Sequence, residues 1–217
     1  MEAFVWIFTV LFSYLFGSIN TSIVICKLIY RKDIRDYGSG NAGLTNVLRT
    51  FGKPTAALTL MLDLIKGIAA VLICRLLAGH FGVELLSNSL FVNYLSCLFV
   101  ILGHIFPCYY GFRGGKGVLL TATTMIAVDP LTCAVAVAIF IIVVSISRYV
   151  SLASIIAISS FPICTIISQT VRGYEAPWQN ALIALAVAII VILKHKSNIV
   201  RLVNGTENKL SFKSKKS

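Results

Sequence analysis

Seven apolar stretches recur along this chain, at about 4–29, 55–79, 89–109, 118–128, 131–146, 150–170 and 178–193. Crossing a bilayer takes about 20 apolar residues in a helix, and hydrocarbon offers no water to satisfy a backbone, so such stretches fold as helices. The pattern predicts an all-α integral membrane protein with seven transmembrane helices. The fourth stretch has about half the needed length. It tilts, extends into neighbouring loops, or re-enters as a hairpin with the fifth, and a five-span count is the main competitor. With 58% hydrophobic and 12% charged residues, the chain lies well outside the globular range. Loops this short leave room for one membrane-embedded domain, 1–207. A basic tail, 208–217, is expected to be disordered and drawn to anionic headgroups.

The net charge is +11, yet the Lys and Arg residues are separated by apolar stretches and form no single basic face, which argues against nucleic acid as a partner. Met1-Glu2-Ala3 is not a basic leader and no small-residue cleavage site follows Phe4 to Phe16, so the first stretch is expected to stay as a helix. Cytoplasmic connections carry the excess of Lys and Arg. Lys27, Arg31, Lys32, Arg35, Arg49 and Lys53 follow the first stretch, Arg113 and Lys116 the third, and Arg148 the fifth. The segment after the last has Lys194, Lys196, Arg201, Lys209, Lys213, Lys215 and Lys216. Alternating seven spans puts all of these on one side. The other side receives a loop with Glu84, the Asp129-Pro130 turn and the 172–177 turn, where Glu175 offsets Arg172. The N-terminus is therefore expected outside and the C-terminus in the cytoplasm.

Two glycine clusters sit on the cytoplasmic side. Gly38-Ser39-Gly40-Asn41-Ala42-Gly43 runs into Thr45, Asn46 and Arg49. Glycines let backbone N–H groups approach an oxyanion, Ser, Thr and Asn add neutral donors, and Arg adds a charged fork. The alternative is a polar turn capping a helix at Ser39 or Asn41. Arg113-Gly114-Gly115-Lys116-Gly117 lacks the spacing of a nucleotide P-loop and no strand precedes it. Lys116 is either a phosphate ligand or a positive-inside anchor.

Asp63 and Lys66, three apart on one helix face, are expected to neutralise each other within the membrane, and Arg75 to snorkel to water without a functional role. His195 and Asn198 share a face if their helix continues. His104 reads as a bundle-facing hydrogen-bonding residue and His80 as a loop residue. The six cysteines, Cys26, Cys74, Cys97, Cys108, Cys133 and Cys164, form no C-x-x-C pair, so they read as small buried hydrophobes, not as a zinc site or a disulfide framework.

Together these segments resemble the bacterial acyl-phosphate:glycerol-3-phosphate acyltransferase family, PlsY. Gly17-Ser18-Ile19, Gly38-Ser39-Gly40-Asn41, Thr45-Asn46-Val47-Leu48-Arg49 and Leu62-Asp63-Leu64-Ile65-Lys66-Gly67 look like its first region. Gly103-His104-Ile105-Phe106-Pro107 with Gly114-Gly115-Lys116-Gly117 looks like its second, and Tyr149-Val150-Ser151-Leu152-Ala153-Ser154 is similar to its third. His195-Lys196-Ser197-Asn198-Ile199, Arg201-Leu202 and Asn204-Gly205-Thr206-Glu207 resemble the C-terminal one. Asn20 stands where the family commonly has Pro, Leu44 where Ala is usual, and Leu119-Leu120 where small residues often follow the glycine turn. These departures are expected to touch packing and acyl-chain fit.

The resemblance implies a seven-helix enzyme of the bacterial inner or plasma membrane with its site facing the cytoplasm. The donor would be acyl phosphate, the acceptor sn-glycerol 3-phosphate, and the products 1-acyl-glycerol 3-phosphate and phosphate, with no metal or other cofactor and an oligomeric state left open. Matched by motif, the catalytic residues fall on Ser39, Arg49, Lys116, His195 and Asn198. The substrate-binding set adds Gly38, Gly40, Asn41, Thr45, Asn46, Gly114, Gly115, Gly117 and Ser151. His195 either assists the hydroxyl proton or only binds substrate while a substrate phosphate takes that proton. The rival class is a transporter for a phosphorylated solute, against which stand the clustering of polar residues at one face and the lack of an internal repeat.

Overall fold

The computed structural model describes residues 1–83 and 90–210. The loop with Glu84 and the tail from 211 onward lie outside the described residues. Within them the chain is all-helical, in the order α1 (Glu2–Ser18), α2 (Thr21–Tyr30), α3 (Leu44–His80), α4 (Phe91–Ile105), α5 (Val118–Val128), α6 (Pro130–Ser147), α7 (Val150–Val171), α8 (Pro177–Leu193) and α9 (Lys196–Val203). Five segments are long and apolar enough to cross a membrane: Glu2–Tyr30, Leu44–His80, Phe91–Tyr110, Pro130–Ser147 and Val150–Val171. α8 and α9, bent by 60° where they join, bring the number to six when taken as one broken span. That is fewer than seven, because α5 has 11 residues and reaches only about 16 Å at 1.5 Å per residue.

The first apolar run, expected as one helix, is broken at Ile19-Asn20 into α1 and α2. A break inside hydrocarbon orphans carbonyls at one helix end and N–H groups at the other. The Asn20 side chain accepts from the Ile23 N–H at 3.1 Å and so caps α2. Lys66 Nζ donates to the Ile19 carbonyl at 2.9 Å and the Gly17 carbonyl at 3.4 Å. Asp63 Oδ1 accepts from the Thr21 hydroxyl at 2.7 Å and pairs with Lys66 at 3.2 Å. The two charges thus do more than neutralise each other. The cation meets the carbonyl end of α1 and the anion the N-terminal end of α2, each the favourable sign for a helix terminus.

Close approach of α1 and α4 depends on glycine. A Cβ at Gly17 would strike the Val100 carbonyl, and one at Gly103 the Tyr14 carbonyl. Small residues at such a crossing let two backbones meet in lipid, and Ser13 and Ser96 hydrogen-bond across it at 2.9 Å. α3 bends at Gly52, whose φ of 83° is left-handed, with Pro54 two residues on. The segment before the bend carries Asn46 and Arg49 on an axis of its own.

At the far end of α5, Asp129 is fully buried. It caps α6, accepts from the Thr132 and Ser168 hydroxyls at 3.0 and 3.2 Å, and pairs with Arg172 at 2.9 Å. Arg172 is therefore joined to Asp129, a partner that sequence neighbourhood did not suggest. Arg75 is exposed yet hydrogen-bonds Asn93 Oδ1 and the Ala127 carbonyl. It ties α3 to α4 and α5, where only snorkelling was expected. All six thiols are free, and four of them are buried.

Candidate active site

The two glycine clusters meet because Arg35 joins them. Asp33 holds the Arg35 guanidinium through Nε at 2.9 Å and Nη2 at 2.8 Å, a bidentate pair that fixes its plane. Arg35 Nη1 then donates to the carbonyls of Tyr110 at 2.7 Å and Arg113 at 3.2 Å. The pairing holds the Asp33 carboxyl well below the usual carboxylate range and raises the Arg35 pKa. From the other side, Asn20 Nδ2 donates to the Ala42 carbonyl at 3.4 Å. The break in the first span thereby touches the first glycine loop directly.

Within that loop Asn46 acts as an organiser. Its Oδ1 accepts from the Ser39 N–H at 3.0 Å, and its Nδ2 faces the carbonyls of Ile34, Tyr37 and Asn41 at 3.2, 2.9 and 3.1 Å. An amide so engaged holds the loop closed around Ser39. In the second cluster, the N–H groups of Gly114 and Gly115 donate to the carbonyls of Ile105 and His104 at 3.2 and 3.1 Å. A Cβ on Gly115 would collide with the His104 ring and the Ala42 carbonyl, so Gly115 is where the two loops and α4 come together. Gly117, at φ 88°, turns the chain into α5. His104 is buried and its Nδ1 has no partner among the described residues. The hydrogen bond expected of that ring is not made through Nδ1.

A cavity of about 800 Å³ opens between these loops, α5 to α7, and the segment of Lys194, His195 and α9. Of the residues expected at a site, Ser39, Gly40, Asn41, Thr45, Asn46, Arg49, Gly114, Lys116, Gly117, Ser151, His195 and Asn198 line it. Gly38 and Gly115 do not. A Cβ at Gly38 would meet the Asn46 side chain, so both glycines serve loop packing. Lys116 Nζ donates to Asn198 Oδ1 at 2.5 Å, Asn198 Nδ2 donates to Glu207 Oε1 at 3.2 Å, and Arg201 Nε donates to Glu207 Oε2 at 2.8 Å. This chain fixes the orientation of the Asn198 amide. Burial, with Arg201 and Arg49 nearby, brings the Lys116 pKa down to about 8, against an opposing pull from Glu207. His195 Nδ1 lies 2.7 Å from the Val191 carbonyl. A carbonyl can only accept, so Nδ1 carries the proton and Nε2 keeps its lone pair. Burial lowers the His195 pKa, which favours that neutral form.

Sequence reasoning assigned no role in the site to Arg201 or Glu207, although both line the cavity. Arg201 stands one helical turn after Asn198, and that spacing is the signal that would have found it. Glu207 returns to the site across the turn at Gly205 and leaves no periodic trace. Asn208 also lines the cavity, and the Leu210 N–H donates to the Arg148 carbonyl at 2.7 Å. The beginning of the expected tail is thereby placed against the α6–α7 turn. Beyond the polar end the wall becomes apolar, with Leu119 and Met125 on α5, Phe140 on α6, and Ile158 and Phe161 on α7.

A bundle of helices apolar enough to cross a membrane, with cations, a neutral imidazole and glycine loops at one end of an apolar slot, defines an integral membrane protein with a polar site beside an apolar cavity. A family model described as glycerol-3-phosphate acyltransferase matches residues 7–205. The chain is 42% identical to the glycerol-3-phosphate acyltransferase of Clostridioides difficile (strain 630), over 98% of this chain and 99% of that one. It is 38% identical to that of Francisella tularensis subsp. novicida (strain U112), over 94% and 93%. It is also similar to crystal structures of PlsY, an integral membrane glycerol 3-phosphate acyltransferase. The glycerol 3-phosphate form aligns with TM-score 0.79 at 35% identity over 95% of this chain and 96% of that one. The lysophosphatidic acid form aligns with TM-score 0.77 at 34% identity over 95% of each. The chain belongs to the glycerol-3-phosphate acyltransferase family, as an integral membrane protein of the PlsY type.

Proposed function

We propose that this enzyme transfers a fatty acyl group from acyl phosphate to sn-glycerol 3-phosphate at the cytoplasmic face of a bacterial plasma membrane, giving 1-acyl-sn-glycerol 3-phosphate and phosphate. The observation that carries the reading is one cavity with Arg49, Lys116 and Arg201 at its polar end and an apolar slot leading away. That shape fits a phosphate group joined to an acyl chain. The site residues in this reading are Ser39, Arg49, Lys116, His195 and Asn198. The glycerol hydroxyl oxygen attacks the acyl carbonyl carbon, the carbonyl–oxygen bond of the anhydride breaks, and phosphate departs with the bonding pair. Phosphate is a good leaving group, so the protein's tasks are positioning and charge stabilisation. Arg49 and Lys116 offset repulsion between two anionic substrates, with Ser39 as a neutral donor.

His195 Nε2 accepts the hydrogen bond of the attacking hydroxyl, and Asn198 orients it. The burial that keeps His195 neutral also makes it a weaker base, so the proton passes to a substrate phosphate oxygen and His195 acts by binding. The topology in this reading is seven crossings with the N-terminus outside, α5 counting as a short crossing paired with α6. Its support is that the Lys- and Arg-rich connections meet at one end of the bundle, through Arg35 with Arg113, Lys116 with Asn198, and Leu210 with Arg148. The test is purified protein with glycerol 3-phosphate and, in parallel, acyl phosphate, acyl-CoA or acyl carrier protein donors. Transfer from acyl phosphate alone is expected. Transfer from a thioester alone would overturn the donor. Uptake of labelled glycerol 3-phosphate into liposomes without lysophosphatidate formation would favour a transporter.

A further inference from the structure

We propose that Ala136 on α6 sets the length of acyl chain the enzyme accepts, by leaving open the gap opposite Phe161 through which a chain reaches the floor of the slot. The proposal rests on the acyl-phosphate reading above and deepens it. Three helices wall the slot in antiparallel succession, α5 turning into α6 at Asp129 and α6 into α7 at Arg148-Tyr149. Because both turns are tight, levels can be counted from them along helices that rise 1.5 Å per residue. Leu119, Phe140 and Ala157 lie near the mouth. Ala122, Ala136 and Phe161 share a level about four residues deeper, on the order of 6 Å. Met125 and Cys133 lie one level below. All eight face the same cavity.

At the middle level Ala122 and Ala136 present only methyl groups to the cavity, while Phe161 presents a phenyl ring that is 2% exposed, so enlarging either alanine narrows the slot there. The floor of the slot lies below it, where Met125, Cys133 and Thr132 line the cavity. Met125 and Cys133 belong to the same buried apolar cluster as Phe161, and Cys133 Sγ donates to the Ala122 carbonyl at 3.4 Å. Beneath them Thr132 is bound to the Asp129 carboxylate, which Arg172 anchors. An apolar chain gains nothing by entering that polar network, so the floor is fixed. Ala122 is backed by α3 and α4 through its short helix. Ala136 instead sits on α6, most of whose surface faces outward, with only 11% of its residues buried. Of the two methyl groups, Ala136 is the one that can be enlarged without disturbing the core.

The test uses acyl phosphates graded from hexanoyl to palmitoyl, with glycerol 3-phosphate saturating, on the full-length protein in bilayer or detergent. Ala136→Phe should fill the gap and raise the ratio of kcat/KM for hexanoyl over palmitoyl phosphate by at least about fivefold, a modest share of what steric exclusion from an apolar pocket can supply. Ala136→Leu should move the ratio the same way by less, and it serves where the phenylalanine variant fails to fold. Ala138→Phe, on the outward face of the same helix, should leave the ratio within about twofold, since surface changes away from a site are near neutral. An unmoved ratio in a folded Ala136 variant, or an equal shift in Ala138→Phe, would overturn the proposal. So would an equal loss at every chain length. Failure of the unsubstituted protein to use any acyl phosphate is a different result, and would overturn the donor assignment instead.

Discussion

Lys116 separates phosphate binding from topological anchoring more sharply than any other residue. Its ammonium is part-buried, held by Asn198, and shares a cavity with Arg49 and Arg201. Replacing it with Met keeps much of the stem and removes the charge and donors. Charge-assisted contacts are worth about 1.5 to 3 kcal/mol, so kcat/KM for glycerol 3-phosphate should fall at least about tenfold in monodisperse protein. Arg restores charge as a planar fork in a glycine-walled turn and should rescue only in part. Near-normal kinetics in Lys116→Met would remove this residue from the site. A second expectation concerns pH. With its pKa brought down to about 8, Lys116 is charged below that value and loses its proton above it. Affinity for the anionic acceptor should therefore fall as pH rises through about 8. The Lys116→Arg variant, charged throughout, should lose this alkaline limb, and an identical limb in both proteins would exclude Lys116 as its source. The glycine context of Lys116 and the motif around His195 were legible in sequence. That Asn198 binds Lys116 was not, because the contact joins the loop before α5 to a helix after α8 and leaves no local periodicity.

At the scale of elements, the broken first span is the feature most dependent on a distant partner. Lys66→Met strips the carbonyl end of α1 of its cation and leaves Asp63 buried with one fewer counter-group. That should cost about 3 to 5 kcal/mol, as removal of one member of a buried pair does. Asp63→Asn combined with Lys66→Met removes the uncompensated charge and should recover part of the loss. The readout is thermal unfolding in detergent, and a double variant no more stable than Lys66→Met would contradict the pairing. The charge pair could be read three residues apart on one helix face. The break could not, because the run from Val5 to Ile29 is continuously apolar enough to pass for one helix, and the groups that make a break tolerable come from α3. The same reasoning explains Arg172. Its neighbour in sequence is Glu175, yet it reaches Asp129 because the α5–α6 turn and the end of α7 lie side by side.

For the whole molecule, the charge asymmetry makes a direct forecast. In a Cys-free background, a cysteine at Asn88 should be labelled by an impermeant thiol reagent from outside, and one at Ser214 only from the cytoplasmic side. Reactivity of both from one side would overturn the topology. The background itself should retain acyl transfer, since no thiol takes part in the proposed chemistry. Loss of all activity in a well-folded Cys-free protein would implicate one of the six.

What the sequence determined by itself is the solvent and the chemistry. Apolar runs in a chain with few charges can satisfy their backbones only as helices in lipid. Glycine loops, cations and a histidine motif made an anion site the expectation, because those properties belong to residue types. Tertiary structure decided the rest: the break in the first span, the joining of two glycine loops by Arg35, and the arrival of Arg201 and Glu207 beside Lys116. These depend on distances between segments far apart in the chain. Such distances are set when packed helices cross and their ends find partners, and no local pattern of residues carries that information.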